Sequence, residues 1–303
     1  EAFDRVDLFT DEVFDYPEFH VFESATDIVS VLLDTISAHN AERVAVVLDS
    51  GSQYSSLVES ALGDRDLEYE VAAVATTTDV ELPADTEDGP VDVRLTDREV
   101  LLVRSDLETA DAATGTFETA LPIPLPGSGR TLTLERGYCA VDVRIDGVEF
   151  RAVSTHLESV SPEARRLQAR ELLRTLPEDG SVIVGGDFNS GPGTETGTYD
   201  LLTDELEDAH AVLRPDAEGP TCCQAGSLRN DESRLDERID ALLYRGRVRP
   251  STVARVGEDP ADRVEARVDG ETVRIWPSDH AGVVGTFEVD ARTPTATPEP
   301  TAA

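Results

Sequence analysis

Between Ala140 and Ala152 the chain alternates without interruption. Val141, Val143 and Ile145 precede Asp146-Gly147, and Val148, Phe150 and Ala152 follow it. A period of two is that of a half-buried strand; wound as a helix, the same residues would scatter their apolar side chains around the cylinder. Asp-Gly between two such runs is the mark of a two-residue hairpin turn. Whatever else the chain does, it builds an antiparallel sheet with one face turned to a core.

The segments around this hairpin alternate between the two periods. Ser161-Pro162-Glu163-Ala164 supplies a cap, a first-turn proline and an acidic first turn, which predicts a helix running to about Leu176. Ser181 to Val184 then read as a buried strand that ends in Gly185, Gly186, Asp187, Phe188 and Asn189. Upstream, an apolar face over residues 28–36 predicts a helix, Val44 to Leu48 a strand, Gln53 to Leu62 a second helix and Tyr69 to Val74 an extended run. Val91 to Arg104 reads as two β-rich runs hinged at Thr96-Asp97-Arg98. Downstream follow a strand from Arg238 to Tyr244, a hairpin around Asp269-Gly270 and a last strand from Gly282 to Val289. Hairpin strands interrupted by a few helices imply an α/β (α+β) fold, a mixed sheet with helices packed outside it.

The charge balance is extreme. Against 62 acidic residues stand 26 basic ones, all of them Arg, for a net charge of -36. Periodic apolar segments and a 39% apolar content exclude a disordered acidic chain. Self-repulsion of this size is relieved where the Debye length falls to about 3 Å, near 1 M salt. Adaptation to high salt is therefore expected, a pattern resembling haloarchaeal proteins. Cys139, Cys222 and Cys223 are too few and too oddly spaced for a disulfide framework or a C-x-x-C zinc site. The adjacent pair reads as two thiols in a loop, because a vicinal linkage distorts the peptide. No run of about 18 apolar residues offers a transmembrane helix. The chain contains no Met, so its first residue is expected to be a cut end. Arg292 to Ala303 is a Thr/Pro stretch of stalk or linker type. Residues 1–290 are thus expected to form the domain and 291–303 a disordered tail, on an extracellular or cell-surface protein, with a cytoplasmic one as the alternative.

Titratable residues gather at four predicted strand ends. They are His156 in VSTHLE, Asp187 and Asn189 in GGDFNS, Asp240 in RIDALLY, and Asp279 and His280 in WPSDHAGVV. Taken singly, each could be a turn or a hydrogen-bonded structural residue. Asp187 and Asn189, two apart on an extended chain, face the same way and could address one ligand.

Their succession, THLE, GDFN, RID and SDH, resembles the endonuclease/exonuclease/phosphatase family, of deoxyribonuclease I-like type, over roughly residues 26 to 290. TCCQ at 221–224, followed by LDERID, is similar to a bacterial and archaeal branch of it. The resemblance implies a four-layer αββα sandwich with mixed sheets and a site at one end, hydrolysing phosphate esters with a divalent metal, Mg²⁺ or Mn²⁺. It implies that Asp187 orients or deprotonates the attacking water and that Asn189 holds the water or a phosphoryl oxygen. His156 and His280 would contact the phosphate, with Asp97 and Asp240 as their carboxylate partners, and Asp279 would face the metal. Such roles suit the reaction, which needs an activated water and neutralised phosphoryl oxygens.

At the front the chain departs from the family pattern. Relatives carry an early strand with an Asn and then a strand ending in Gln-Glu, whose Glu is the metal ligand. Here VAVVLDSG offers Asp49 instead, one methylene shorter, and the asparagines are Asn40, Asn189 and Asn230, so the N-terminal strand is expected to be missing. Two readings follow: a metal-dependent phosphoesterase, nucleases included, or a catalytically impaired member serving as a surface or binding module. The charge of -36 opposes a polyanionic substrate at low salt. A small phosphate ester would need fewer basic contacts. Of the arginines near the motifs, Arg98 and Arg238 are candidates to face the site, and Arg165 and Arg166 read as the solvent face of their helix.

Overall fold

The computed structural model describes residues 3–5, 20–22, 45–49, 68–86, 89–125, 130–194, 197–268 and 271–289. In chain order the strands are β1 (Phe3–Arg5), β2 (His20–Phe22), β3 (Ala45–Asp49), β4 (Tyr69–Thr86), β5 (Gly89–Arg104), β6 (Glu108–Thr116), β7 (Leu121–Leu125), β8 (Arg130–Leu134) and β9 (Gly137–Ile145). They continue as β10 (Val148–His156), β11 (Ser181–Asp187), β12 (Glu207–Asp208), β13 (Asp240–Arg245), β14 (Val248–Val256), β15 (Val264–Val268), β16 (Glu271–Ile275) and β17 (Gly282–Val289). The expected helices over 28–36 and 53–62 and the tail 291–303 lie outside the described residues.

A six-stranded mixed sheet in the order β12-β13-β11-β10-β9-β6 forms the centre. The predicted hairpin is β9 and β10, paired antiparallel from Val148↔Ile145 to His156↔Gly137. At its turn Asp146 and Gly147 have φ of 51° and 77°, the left-handed pair that a type I′ turn requires. β10 and β11 are parallel, so the chain must cross over between them. The helix Pro162–Thr175 makes that crossing, with the Ser161 side chain accepting from the Ala164 amide at its N-cap.

Alternation assigns each side of the sheet to a different core. Val153, Val182, Val184 and Leu243 face Ala169 and Leu172 of the helix. Val141, Val143, Ala152 and Tyr244 face the other way, onto Ala73, Leu101, Val103 and Val248. Those partners belong to the β3-β5-β4 sheet and to the β14-β17 pair, so a helical layer covers one face of the central sheet and further strands cover the other. The fold is a mostly-sheet α/β fold with mixed sheets and few helices.

Two expectations are corrected. Residues 91–104 are one continuous strand within β5 rather than two hinged runs; the irregularity sits on its partner β4, between Thr76 and Thr78, opposite Arg98 and Asp97. One extra residue on β4, Thr77, takes up the irregularity there, and β5 keeps its pairing. Arg165 is buried rather than on the solvent face. It shares the helix face of Gln168, Ala169 and Leu172, at spacings of three, four and seven. Arg166 is exposed, as expected.

Candidate functional site

Register sets the site. His156 ends β10, Asp187 ends β11 and Asp240 begins β13; His156 pairs with Asp187, and Asp187 with Asp240. Three neighbouring strands therefore end in one row. The residue after each of the first two is a plug: Leu157 and Phe188 are buried in the helix-side core. Backbone bonds from Leu157 N to the Asp187 carbonyl and from Phe188 N to the Ile239 carbonyl, both 2.9 Å, tie the three ends together. Gly186 allows that approach, since a Cβ there would collide with the Thr155 carbonyl.

Asp187 is buried, and the turn after it folds back on its carboxylate. The Asn189 amide N donates to Oδ1 at 2.7 Å, and Asn189 Nδ2 donates to Oδ2 at 3.2 Å. Asn189 has φ of 48°, a left-handed conformation that Asn tolerates better than most residues. Its Nδ2 also donates to the Leu157 carbonyl and lies 3.1 Å from His156 Nε2. Burial and the neighbouring Asp240 carboxylate push the Asp187 carboxyl up to about 6, against the pull of His156 and His280. From below, the buried Arg165 guanidinium holds the carbonyls of Glu158, Ser159 and Asn189, bracing the loops that carry His156 and Asp187.

Asp240 and His280 form the other half. Asp240 Oδ2 and His280 Nδ1 are 2.9 Å apart. Burial opposes a charge on His280, yet Asp240 beside it, with Asp187 and Asp279 beyond, pushes its proton affinity up to about 10. The raised value has a consequence for stability. A histidine with an ordinary value near 6.5 binds its proton more tightly folded than unfolded, so this contribution is complete below pH 6.5 and is lost as pH rises towards 10. Unfolding of the chelator-treated protein is expected to show stability falling across that window, and Asp240→Asn is expected to flatten the fall. A wild-type profile flat from pH 6.5 to 10 would contradict the pairing.

Beside His156 the expected carboxylate partner is displaced. Asp97 lies close to it, in a cluster with Glu99 whose ligand atoms are all within 4.8 Å of one another. The group at 3.0 Å from His156 Nδ1, however, is Arg136 Nη1, which also donates to Asp97 Oδ2 at 2.5 Å. A guanidinium can only donate, so Nδ1 accepts and the proton of the neutral ring sits on Nε2, towards Asp187. Arg136→Met is expected to lower the preference for the Nε2-protonated ring by about 10- to 100-fold, the worth of one hydrogen bond to a charged group, as read by nitrogen-15 NMR of the imidazole. Arg136→Lys, which can still donate, should recover part of the loss; equal losses in both variants would argue against this tautomer role.

The remaining expectations divide. Asp279 belongs to neither carboxylate–histidine cluster among the described residues; its carbonyl accepts from the Gln224 amide. Asp49 ends β3 and stands opposite Glu99 in the register. Glu99 itself, fully buried on β5, escaped the sequence reading, although T-D-R-E-V-L-L-V-R places it two residues beyond Asp97, on the same face. Arg238 is held by Asp208 and lies over the Tyr199 ring. Cys222 and Cys223 are joined as a vicinal disulfide, where two thiols were expected. The backbone on both sides of the pair is fixed: Cys222 exchanges bonds with Glu237, and Gln224 N donates to the Asp279 carbonyl.

The clusters suit a hard cation. Asp187, Asp240 and His280 have ligand atoms within 4.8 Å of one another, as do Asp97, Glu99 and His156. Carboxylate oxygens are the donors that hard divalent ions prefer. Burial first and the Asp240 charge second oppose ionisation of Asp187, and a cation beside the pair would offset both.

Residues 93–280 match the sequence model of the Endonuclease/Exonuclease/phosphatase family. Among solved structures the chain is similar to a mannosyl-6-phosphatase of Bacteroides thetaiotaomicron, at 15% identity and a TM-score of 0.56, covering 88% of this chain and 92% of that one. It is similar to a truncated TDP2 of Caenorhabditis elegans at 16% identity and a TM-score of 0.53, over 87% of this chain and 90% of the other. A TDP2 of D. rerio, complexed with single strand DNA product, aligns at 17% identity and a TM-score of 0.54, over 88% and 93%. At these identities the likeness is one of fold. No curated protein shows significant sequence similarity to the chain.

Proposed function

The chain belongs to the endonuclease/exonuclease/phosphatase family, and from that premise we propose that it is a divalent-metal-dependent phosphoesterase working at the His156–Asp187–Asp240–His280 row. The observation that carries this is the buried Asp187 carboxylate, set between His156 at the end of β10 and Asp240 at the start of β13, with His280 held on Asp240.

Each group has a task. Asp187, ionised above about pH 6, accepts the proton of the attacking water, and Asn189 holds that carboxylate and the water in line. His280, protonated at neutral pH, donates from Nε2 to a phosphoryl oxygen while Asp240 fixes its ring. His156 offers its Nε2 proton from the opposite side. Glu99 and Asp97 would hold Mg²⁺ or Mn²⁺, with Asp49 opposite Glu99 and Asp279 as further candidate ligands. Such an ion supplies charge neutralisation on the phosphoryl group and a lowered pKa for bound water.

A chain of net charge -36 is proposed to work best at molar salt, where its own repulsion and that against a polyanion are both screened. At low salt the same charge favours a small phosphate ester over a long nucleic acid. The test is a panel at molar KCl with Mg²⁺ or Mn²⁺: bis-p-nitrophenyl phosphate, p-nitrophenyl phosphate, a sugar phosphate and single-stranded DNA. Turnover of a small ester is expected, and its lead over DNA should widen to at least about tenfold as the KCl is lowered towards 0.1 M. No turnover of any of the four would favour the impaired binding module.

A further inference from the structure

The vicinal pair lies against the catalytic row. Thr221 Oγ1 accepts from the amides of Ile239 and Asp240, both at 3.1 Å, and the Ala281 amide donates to the Thr221 carbonyl. Residues 221–224 therefore bracket both halves of the Asp240–His280 pair. On this bracket Cys223 is exposed and its Sγ lies 3.9 Å from His280 Nε2. Cys222 is buried behind it. The two sulfurs and a His280 nitrogen all lie within 4.8 Å of one another.

We propose that Cys222, Cys223 and His280 form a redox-gated site for a thiophilic cation of the Zn²⁺ or Cd²⁺ class, distinct from the Asp97–Glu99 pair proposed to hold the hard metal. Thiolates and imidazole select such ions, as carboxylates select Mg²⁺. Asp240 on Nδ1 supplies the carboxylate behind a ligating histidine, which orients the ring and strengthens Nε2 as a ligand. The exposed Cys223 leaves a path for the ion and room for water to complete the coordination.

The gate is the disulfide. A dithiol reductant breaks the S–S bond: two electrons and two protons pass to the cysteine sulfurs, and the reductant closes to its own disulfide. Cation binding then releases the two thiol protons and the Nε2 proton to solvent. Under the proposed function, on which this consequence rests, a ligated His280 can no longer donate to the phosphoryl oxygen. Hydrolysis is thus open in the disulfide form and blocked in the reduced, Zn²⁺-loaded form.

Binding can be read without turnover. The whole chain is reduced with dithiothreitol, desalted without air and titrated with Cd²⁺ in excess Mg²⁺, following the sulfur-to-cadmium charge-transfer absorption. Saturation at about one Cd²⁺ per reduced chain is expected, with no band from the oxidised chain. Cys223→Ser should abolish the band, and Cys139→Ala, which changes a thiol buried in the inter-sheet core, should keep it. Asp240→Asn should weaken binding by about 10- to 100-fold. No band in the reduced protein, or an equal band in Cys223→Ser, overturns the site. Hydrolysis of bis-p-nitrophenyl phosphate is then compared with and without Cd²⁺. At least tenfold inhibition of the reduced wild type, relieved in Cys223→Ser, supports the gate, and undiminished turnover overturns it. A chain that shows the band and hydrolyses no ester contradicts the proposed function and leaves the site standing.

Discussion

Asp187→Asn is expected to lower kcat by about 10²- to 10⁴-fold, the range for removing a positioned general base, while KM changes little. The same substitution should make the protein more stable at neutral pH. In the folded chain Asp187 keeps its proton up to about pH 6, against an ordinary value of 3.8. Between those two values the folded state binds more protons than the unfolded one, so stability falls as pH rises through the window and the ionised carboxylate remains a cost above it. Asparagine removes the cost, and Tm should rise by a few degrees at pH 7. An inactive variant that melts higher separates chemistry from folding. An inactive variant that melts well below the wild type would place Asp187 in the scaffold instead.

Asp240→Asn carries the second large effect. Without the carboxylate on Nδ1, His280 loses what holds its proton against burial, and the ring turns over to the neutral form near neutral pH. A drop in kcat of about 10²- to 10⁴-fold is expected. It should be steepest at high pH, where the wild type still carries the proton and the variant does not. Asp187 responds too, because Asp240 is part of what raises it; its titration should move down in the variant. A carbon-13 carboxyl titration by NMR reads that movement directly, and an unmoved Asp187 would contradict the coupling across β11 and β13.

What the sequence disclosed follows from where the information lies. The row of His156, Asp187 and Asp240 was legible because each stands at the end of a short apolar run, and strand ends are marked locally by glycine, by polar residues and by broken alternation. The β9–β10 hairpin was legible for the same reason, with its turn written as Asp-Gly. Glu99 and Arg136 were not, since their places depend on how β5 meets β3 and on how the residue before β9 reaches across to β10. That is register between distant segments, which no local period encodes.

Arg165 is a different case. Its spacing to Ala169 and Leu172 was present in the sequence, and the usual exposure of arginine outweighed it. β6 went unread because Glu-Thr-Ala-Asp-Ala-Ala-Thr-Gly-Thr has little strand propensity; it is an edge strand, largely exposed, held by pairing with β9. The disulfide was misjudged because the sequence shows two adjacent cysteines but not the brackets from Glu237 and Asp279 that hold them.

The central claim is that this row hydrolyses phosphate esters with a divalent metal. The most direct measurement is the rate of p-nitrophenol release from bis-p-nitrophenyl phosphate at molar KCl, for wild type and Asp187→Asn side by side, with Mg²⁺ and then with EDTA. Release by the wild type in Mg²⁺ that EDTA abolishes and Asp187→Asn lacks is the predicted result; equal rates in the two proteins, or a rate indifferent to EDTA, would contradict it.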